Sequence, residues 1–102
     1  MAFRYNTATL QLIESIFKQN KYVVRYEKGA FQSGYCVLQD KRVVVINKFY
    51  DTESRINALV EIFQQLELTN TDFDEKQMKI FSELAQRKLE IELYISLYNT
   101  NF

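Results

Sequence analysis

Apolar positions first follow a helical rhythm. Leu10, Ile13, Ile16 and Phe17 recur three and four residues apart, while Glu14, Lys18 and Gln19 take the opposite side. The spacing predicts a helix that begins after Thr7 or Thr9, either of which can cap it, and ends at Asn20-Lys21. Glu14 and Lys18 are four apart and can pair on its wet face.

The period then drops to two. In Tyr22-Val23-Val24-Arg25-Tyr26-Glu27, Tyr22, Val24 and Tyr26 share one face of a strand, and Arg25 and Glu27 point the other way. Residues 28–34 read as a loop whose two glycines, Gly29 and Gly34, permit turn conformations. Phe31 lies inside it and either folds back on the core or stands out as a contact residue. Tyr35-Cys36-Val37-Leu38-Gln39 is a second strand, and Asp40-Lys41 turns it into Arg42-Val43-Val44-Val45-Ile46-Asn47-Lys48. A two-residue turn sets Leu38 opposite Val43, Val37 opposite Val44 and Cys36 opposite Val45. Val43 to Ile46 are apolar on both faces, the signature of a strand covered on both sides. The second cover is a loop or terminus of the same chain, or another subunit.

Helical spacing returns after Phe49-Tyr50. Asp51 or Thr52 can cap a helix with Glu53 in its first turn and Ile56, Leu59, Val60, Phe63 and Leu66 on its buried stripe. Arg55, Asn57, Glu61, Gln64 and Gln65 face outward. Residues 67–71 form a link, and Asp72 before Glu75, or Thr71 before Asp74, supplies the next capping signal. From Phe73 or Asp74 to about Tyr98 one long stripe runs through Phe73, Ile80, Leu84, Ile91, Ile95 and Tyr98. Phe81, Ala85, Leu89, Leu93 and Leu97 widen it. As a 25-residue helix this segment is about 37 Å long, more than a small domain needs. Its second half is apolar around most of its circumference, so it either passes under the domain or seals a two-fold dimer. Residues 89–98 also alternate, with Leu89, Ile91, Leu93, Ile95 and Leu97 against Glu90, Glu92, Tyr94, Ser96 and Tyr98. A break near residue 88 into an edge strand is the competing reading.

The fold class is therefore α+β. An N-terminal helix precedes a three-stranded antiparallel sheet and two C-terminal helices, all in one domain over residues 1–102. With 47% apolar and 25% charged residues, the chain has the composition of a folded soluble protein. No apolar run approaches the roughly 20 residues of a membrane span, and the first residues lack a secretory stretch, so a cytoplasmic location is expected. Net charge is zero but unevenly distributed. Residues 1–50 carry eight basic and three acidic side chains, and residues 51–102 carry five basic and ten acidic. Oppositely charged halves form a dipolar surface within one domain or attract a second copy or a charged partner.

Composition removes several chemistries. With no histidine, Ser-His-Asp and Cys-His catalysis cannot be assembled within the chain. One cysteine, Cys36, leaves a zinc site almost without ligands and permits no intrachain disulfide. No phosphate-binding or dinucleotide motif occurs. Asp51, Glu53, Asp72, Asp74 and Glu75 sit at helix starts, where capping accounts for acids. No metal, no cofactor and no enzymatic activity are expected.

Two resemblances add to this reading. Val23 to Gly29, Phe31 to Cys36 and Val44 to Phe49 together look like a small uncharacterised family of Bacteroidetes-type bacteria, which brings no function with it. The order helix, hairpin, a strand ending Ile46-Asn47-Lys48, then a helix opening Arg55-Ile56-Asn57 resembles the region before the zinc helix of small phage-repressor-cleaving metallopeptidases. That family carries His-Glu-x-x-His on the helix. Here Val60, Glu61 and Gln64 stand in the histidine, glutamate and histidine places. Both ligands are missing, so the resemblance implies a catalytically empty cousin kept as a binding or regulatory module.

The leading expectation is a non-enzymatic structural or protein-interaction module, homodimeric through Leu89, Leu93, Tyr94, Leu97 and Tyr98. The alternative is a binding domain for a protein or nucleic acid. Its basic, aromatic sheet face would comprise Arg25, Lys28, Phe31, Tyr35 and Arg42.

Overall fold

The computed structural model describes residues 3–28 and 34–99. Six elements follow in order: α1 (Thr7–Gln19), β1 (Val23–Glu27), β2 (Tyr35–Leu38), β3 (Val43–Asn47), α2 (Thr52–Gln65) and α3 (Glu75–Asn99). The α+β class and the order of elements agree with the sequence reading.

The sheet corrects one part of it. Its strand order is β1-β3-β2, and β1 pairs with β3 in parallel, so the sheet is mixed rather than antiparallel. Only β2 and β3 form a hairpin, in the expected register of Cys36 with Val45 and Leu38 with Val43. Topology gives the reason. After β1 the chain passes to the far edge, starts β2 there, and the hairpin returns β3 between them. The strand with two apolar faces thus takes the centre, where it gains ladder hydrogen bonds on both sides. Val23 N donates to Arg42 O at 2.9 Å and Lys48 N to Glu27 O at 3.1 Å, so the parallel pairing continues past both strand ends.

Alternation sorts the side chains between two sheet faces. Val24, Tyr26, Val44, Ile46, Tyr35 and Val37 face the helices and join the core of Ile13, Ile16, Phe17, Ile56, Leu59, Ile62 and Phe63. α2 is buried more widely than its expected stripe, because Ala58 and Ile62 are also inside. On the other face Val23, Val43 and Leu38 form a row across the three strands, and Val23 and Leu38 are exposed.

Helix ends show which capping signals operate. The cap of α1 is Asn6, not Thr7 or Thr9: its side-chain oxygen accepts from Thr9 N at 2.9 Å. Asp51 caps α2 by accepting from Ser54 N at 2.8 Å. These bonds hold its carboxyl below the usual carboxylate range. α3 starts with a reciprocal pair two positions after the expected Asp72 and Glu75, and three after Thr71 and Asp74. Asp74 Oδ1 accepts from Gln77 N at 2.8 Å, and Gln77 Oε1 accepts from Asp74 N at 2.9 Å. α3 then continues as helix to Asn99, so no strand forms after residue 88.

Candidate functional site

The first half of α3 is anchored. Ile80 and Leu84 are buried, and Gln77, also buried, donates from Nε2 to Ser15 Oγ at 2.9 Å and to Gln19 Oε1 on α1. Phe81 packs edge-on against Phe63 and Phe73. Near the middle of the helix, Lys88 Nζ donates to the carbonyl of Leu66 at 2.9 Å and pairs with Glu67 at 3.1 Å.

Beyond Lys88 every residue from Leu89 to Tyr98 is exposed. Leu89, Leu93 and Leu97 are each 61% accessible, Tyr94 67% and Tyr98 63%. Ile91 and Ile95 are accessible at 40% and 50%. This segment does not pass under the domain. It extends away from it as a helix, and of its apolar residues Leu89 lines the rim of a pocket with Phe63 and Leu66. The five residues expected at an interface are thus brought together on one projecting segment. The rings of Tyr94 and Tyr98 lie 5.9 Å apart.

The five residues expected on a basic, aromatic face are not gathered in the same way. Arg25 lies on the open sheet face and pairs with Glu27 at 2.7 Å, an exposed ion pair worth about 1 kcal/mol or less. Lys28 follows the end of β1. Tyr35 is on the helix-facing side, where its hydroxyl accepts from Gln65 Nε2 at 3.1 Å. Arg42 lies at the opposite end of the sheet. Its guanidinium donates to Asn20 O at 2.9 Å and sits over the Tyr22 ring. Phe31 lies outside the described residues. Tyr22 is buried and Tyr26 half-buried, so neither ring offers a stacking surface.

A second feature escaped the sequence reading, apart from Tyr35 and Glu61. Tyr35, Tyr50, Ser54, Asn57, Ala58 and Glu61 line a cleft of about 310 Å³ between β2 and α2. β2 is an edge strand, so its outer side is open here. The helix residues are three and four apart and share one face, a polar signal visible only once β2 is known to lie beside it. Val60 is buried in the core and does not share this cleft. The amide atoms of Gln64 are buried without a hydrogen-bond partner.

Tyr26 and Arg55 brace β1 against the start of α2. Tyr26 donates its hydroxyl to the Glu14 carboxylate, and burial first, then that bond, push its pKa far above the usual phenol value. Arg55 lies 4.1 Å from the Tyr26 ring centre and donates to the carbonyls of Tyr50 and Lys48 at 3.0 and 2.9 Å. Among the described residues no three His, Cys, Asp or Glu side chains converge as a metal site would require, and Cys36 is a half-buried free thiol. No described helix is long and apolar enough to cross a membrane. Comparison with protein-family models, curated proteins and solved structures finds no match for the chain.

Proposed function

We propose that this chain is a non-enzymatic interaction module that works as a homodimer sealed by the second half of α3. The exposed run from Leu89 to Tyr98 carries the reading. Seven large apolar side chains, 40–67% exposed, lie within ten consecutive residues, a concentration that scattered single exposures on a monomer do not produce. A second copy presents the same patch, which suits an isologous contact. Light scattering after size exclusion tests this. A mass twice the 12.2 kDa of the chain, retained in high salt, supports it. A single-chain mass at all concentrations overturns it.

A second reading rests on Glu61. A catalytically empty relative of the phage-repressor-cleaving metallopeptidases would keep a helix beside the sheet with this glutamate in a groove, and Glu61 lines the cleft beside β2. On that reading the cleft binds a partner segment without cleaving it. Amide shift mapping with short extended peptides checks it, and shifts absent from β2 and α2 would count against it.

A further inference from the structure

The cleft between β2 and α2 holds a charge without a counter-charge. Of the side chains that line it, only Glu61 is a carboxylate, and no lysine or arginine is among them. Glu61 is exposed and makes no ion pair or hydrogen bond. The positions three and four away on α2 are Asn57, Ala58, Gln64 and Gln65, so no basic side chain of the helix reaches it. The one cation of α2, Arg55, is spent on the carbonyls of Tyr50 and Lys48.

The strand beside the cleft has backbone groups to offer. Gly34 O accepts from Asn47 N at 2.9 Å, and the same register sets Cys36 opposite Val45 and Leu38 opposite Val43. Bonded pairs alternate along an antiparallel ladder. Val37, opposite Val44, therefore turns its N–H and C=O away from β3, toward the open edge of the sheet. No described residue bonds to them. A strand added along this edge has the residues level with Tyr35 and Val37 on the same face as those two side chains, the face that looks toward the helices. On that face lies the cleft of about 310 Å³, with Glu61 in its wall.

We infer that the cleft takes a lysine or arginine from an extended peptide segment that adds to β2 as a fourth strand, with Glu61 as the counter-ion. This rests on the cleft reading above and names what the segment must carry. Tyr35 and Tyr50 supply ring surface for the aliphatic stem and for the cation. Ser54 and Asn57 offer oxygens to the remaining N–H donors, and the small side chain of Ala58 leaves room. An acidic side chain would meet Glu61 at like charge, and an apolar one would gain nothing from the polar wall. Pairing along the edge supplies affinity, and the cleft supplies the choice of side chain.

Three acetylated, amidated pentapeptides that differ only at the centre test this: Thr-Val-Lys-Val-Thr and its norleucine and glutamate counterparts. Each is titrated at low salt into the isotope-labelled full chain. The lysine peptide should shift the amides of Val37 and Glu61 and bind at least about fivefold more tightly than the norleucine peptide, with the glutamate peptide weakest. Added salt should shrink that advantage. Glu61→Gln keeps the size of an exposed side chain and should bring the lysine and norleucine peptides within about twofold of each other. If the three peptides shift β2 and α2 with equal affinity, or if the lysine preference survives Glu61→Gln, the cation assignment is overturned while the cleft reading stands. If none of the three shifts those amides, both fall.

Discussion

The phenol of Tyr50 occupies the space in which a Cβ at residue 34 would stand. Gly34 also has φ +83°, a conformation that side chains disfavour, and its carbonyl accepts from Asn47 N at 2.9 Å. Glycine is therefore needed twice here, for the backbone and for the ring. Gly34→Ala must either displace Tyr50 or shift the start of β2. The expected loss is about 1–3 kcal/mol in urea unfolding, with an unchanged slope. Tyr50→Ala in the same background should recover part of it, because it removes the collision but not the backbone strain.

Arg55 joins β1, the end of β3 and the start of α2 through three contacts that depend on a planar, forked cation. It donates to two carbonyls and lies over the Tyr26 ring. A lysine cannot reproduce that fork. Arg55→Lys is expected to destabilise the fold by about 1–3 kcal/mol, close to the effect of Arg55→Ala, because carbonyl partners are left unmet in both. A lysine variant as stable as wild type would show that charge alone suffices.

Acid should weaken α2 before the rest of the molecule. Asp51 has a depressed pKa in the folded state, so its contribution is present above the usual carboxylate value of about 4. That contribution is lost as pH falls through the lower folded value. Asp51→Asn keeps an oxygen to accept from Ser54 N but does not titrate. Melting temperature followed from pH 7 to pH 2 should fall less steeply for the variant, while the two proteins match within about 2 °C at pH 7. The alkaline limb has the opposite sign. Tyr26 is raised in the fold, so its contribution is complete below the ordinary phenol value of about 10 and fades above it.

Local patterns proved the most legible part of the sequence. The β2–β3 register followed from hairpin proximity, and Asp51, one of two residues able to cap α2, followed from side-chain chemistry. The parallel pairing of β1 with β3 was not legible, because nothing in Val23 to Glu27 distinguishes a neighbour that runs with it from one that runs against it. Alternation in residues 89–98 matched a strand only because leucine and isoleucine fall at every second position. The helix persists because its residues carry helix-favouring side chains without a glycine or proline to stop them. The cleft was hidden for another reason. Tyr35 and Glu61 are 26 positions apart, and only the placement of an edge strand beside α2 brings them together. Tyr35 stands out as part of an aromatic face and Glu61 by resemblance, while Ser54, Asn57 and Tyr50 carry no signal of their own.

A chain ending at Lys88 should remain folded. The core side chains of α3 are Gln77, Ile80 and Leu84, and the helix is fixed to α1 by Gln77 and to the end of α2 by Lys88. Every described apolar residue beyond is exposed, and Leu89 reaches the rim of a shallow pocket beside Phe63 and Leu66. Residues 89–98 therefore contribute little buried surface to a single copy, and the remaining helix of about 14 residues is held by tertiary contacts. The truncated chain is expected to keep a cooperative melt and the near-ultraviolet signature of its packed rings. At dilutions where the full chain is a single copy, its stability should lie within about 1 kcal/mol of the full chain. At higher concentration the two must diverge. The full chain gains stability by mass action as it associates, and the truncated one does not. Concentration-dependent melting in the full chain alone would place the extension's role between copies. Loss of the cooperative melt on truncation would place it inside the fold.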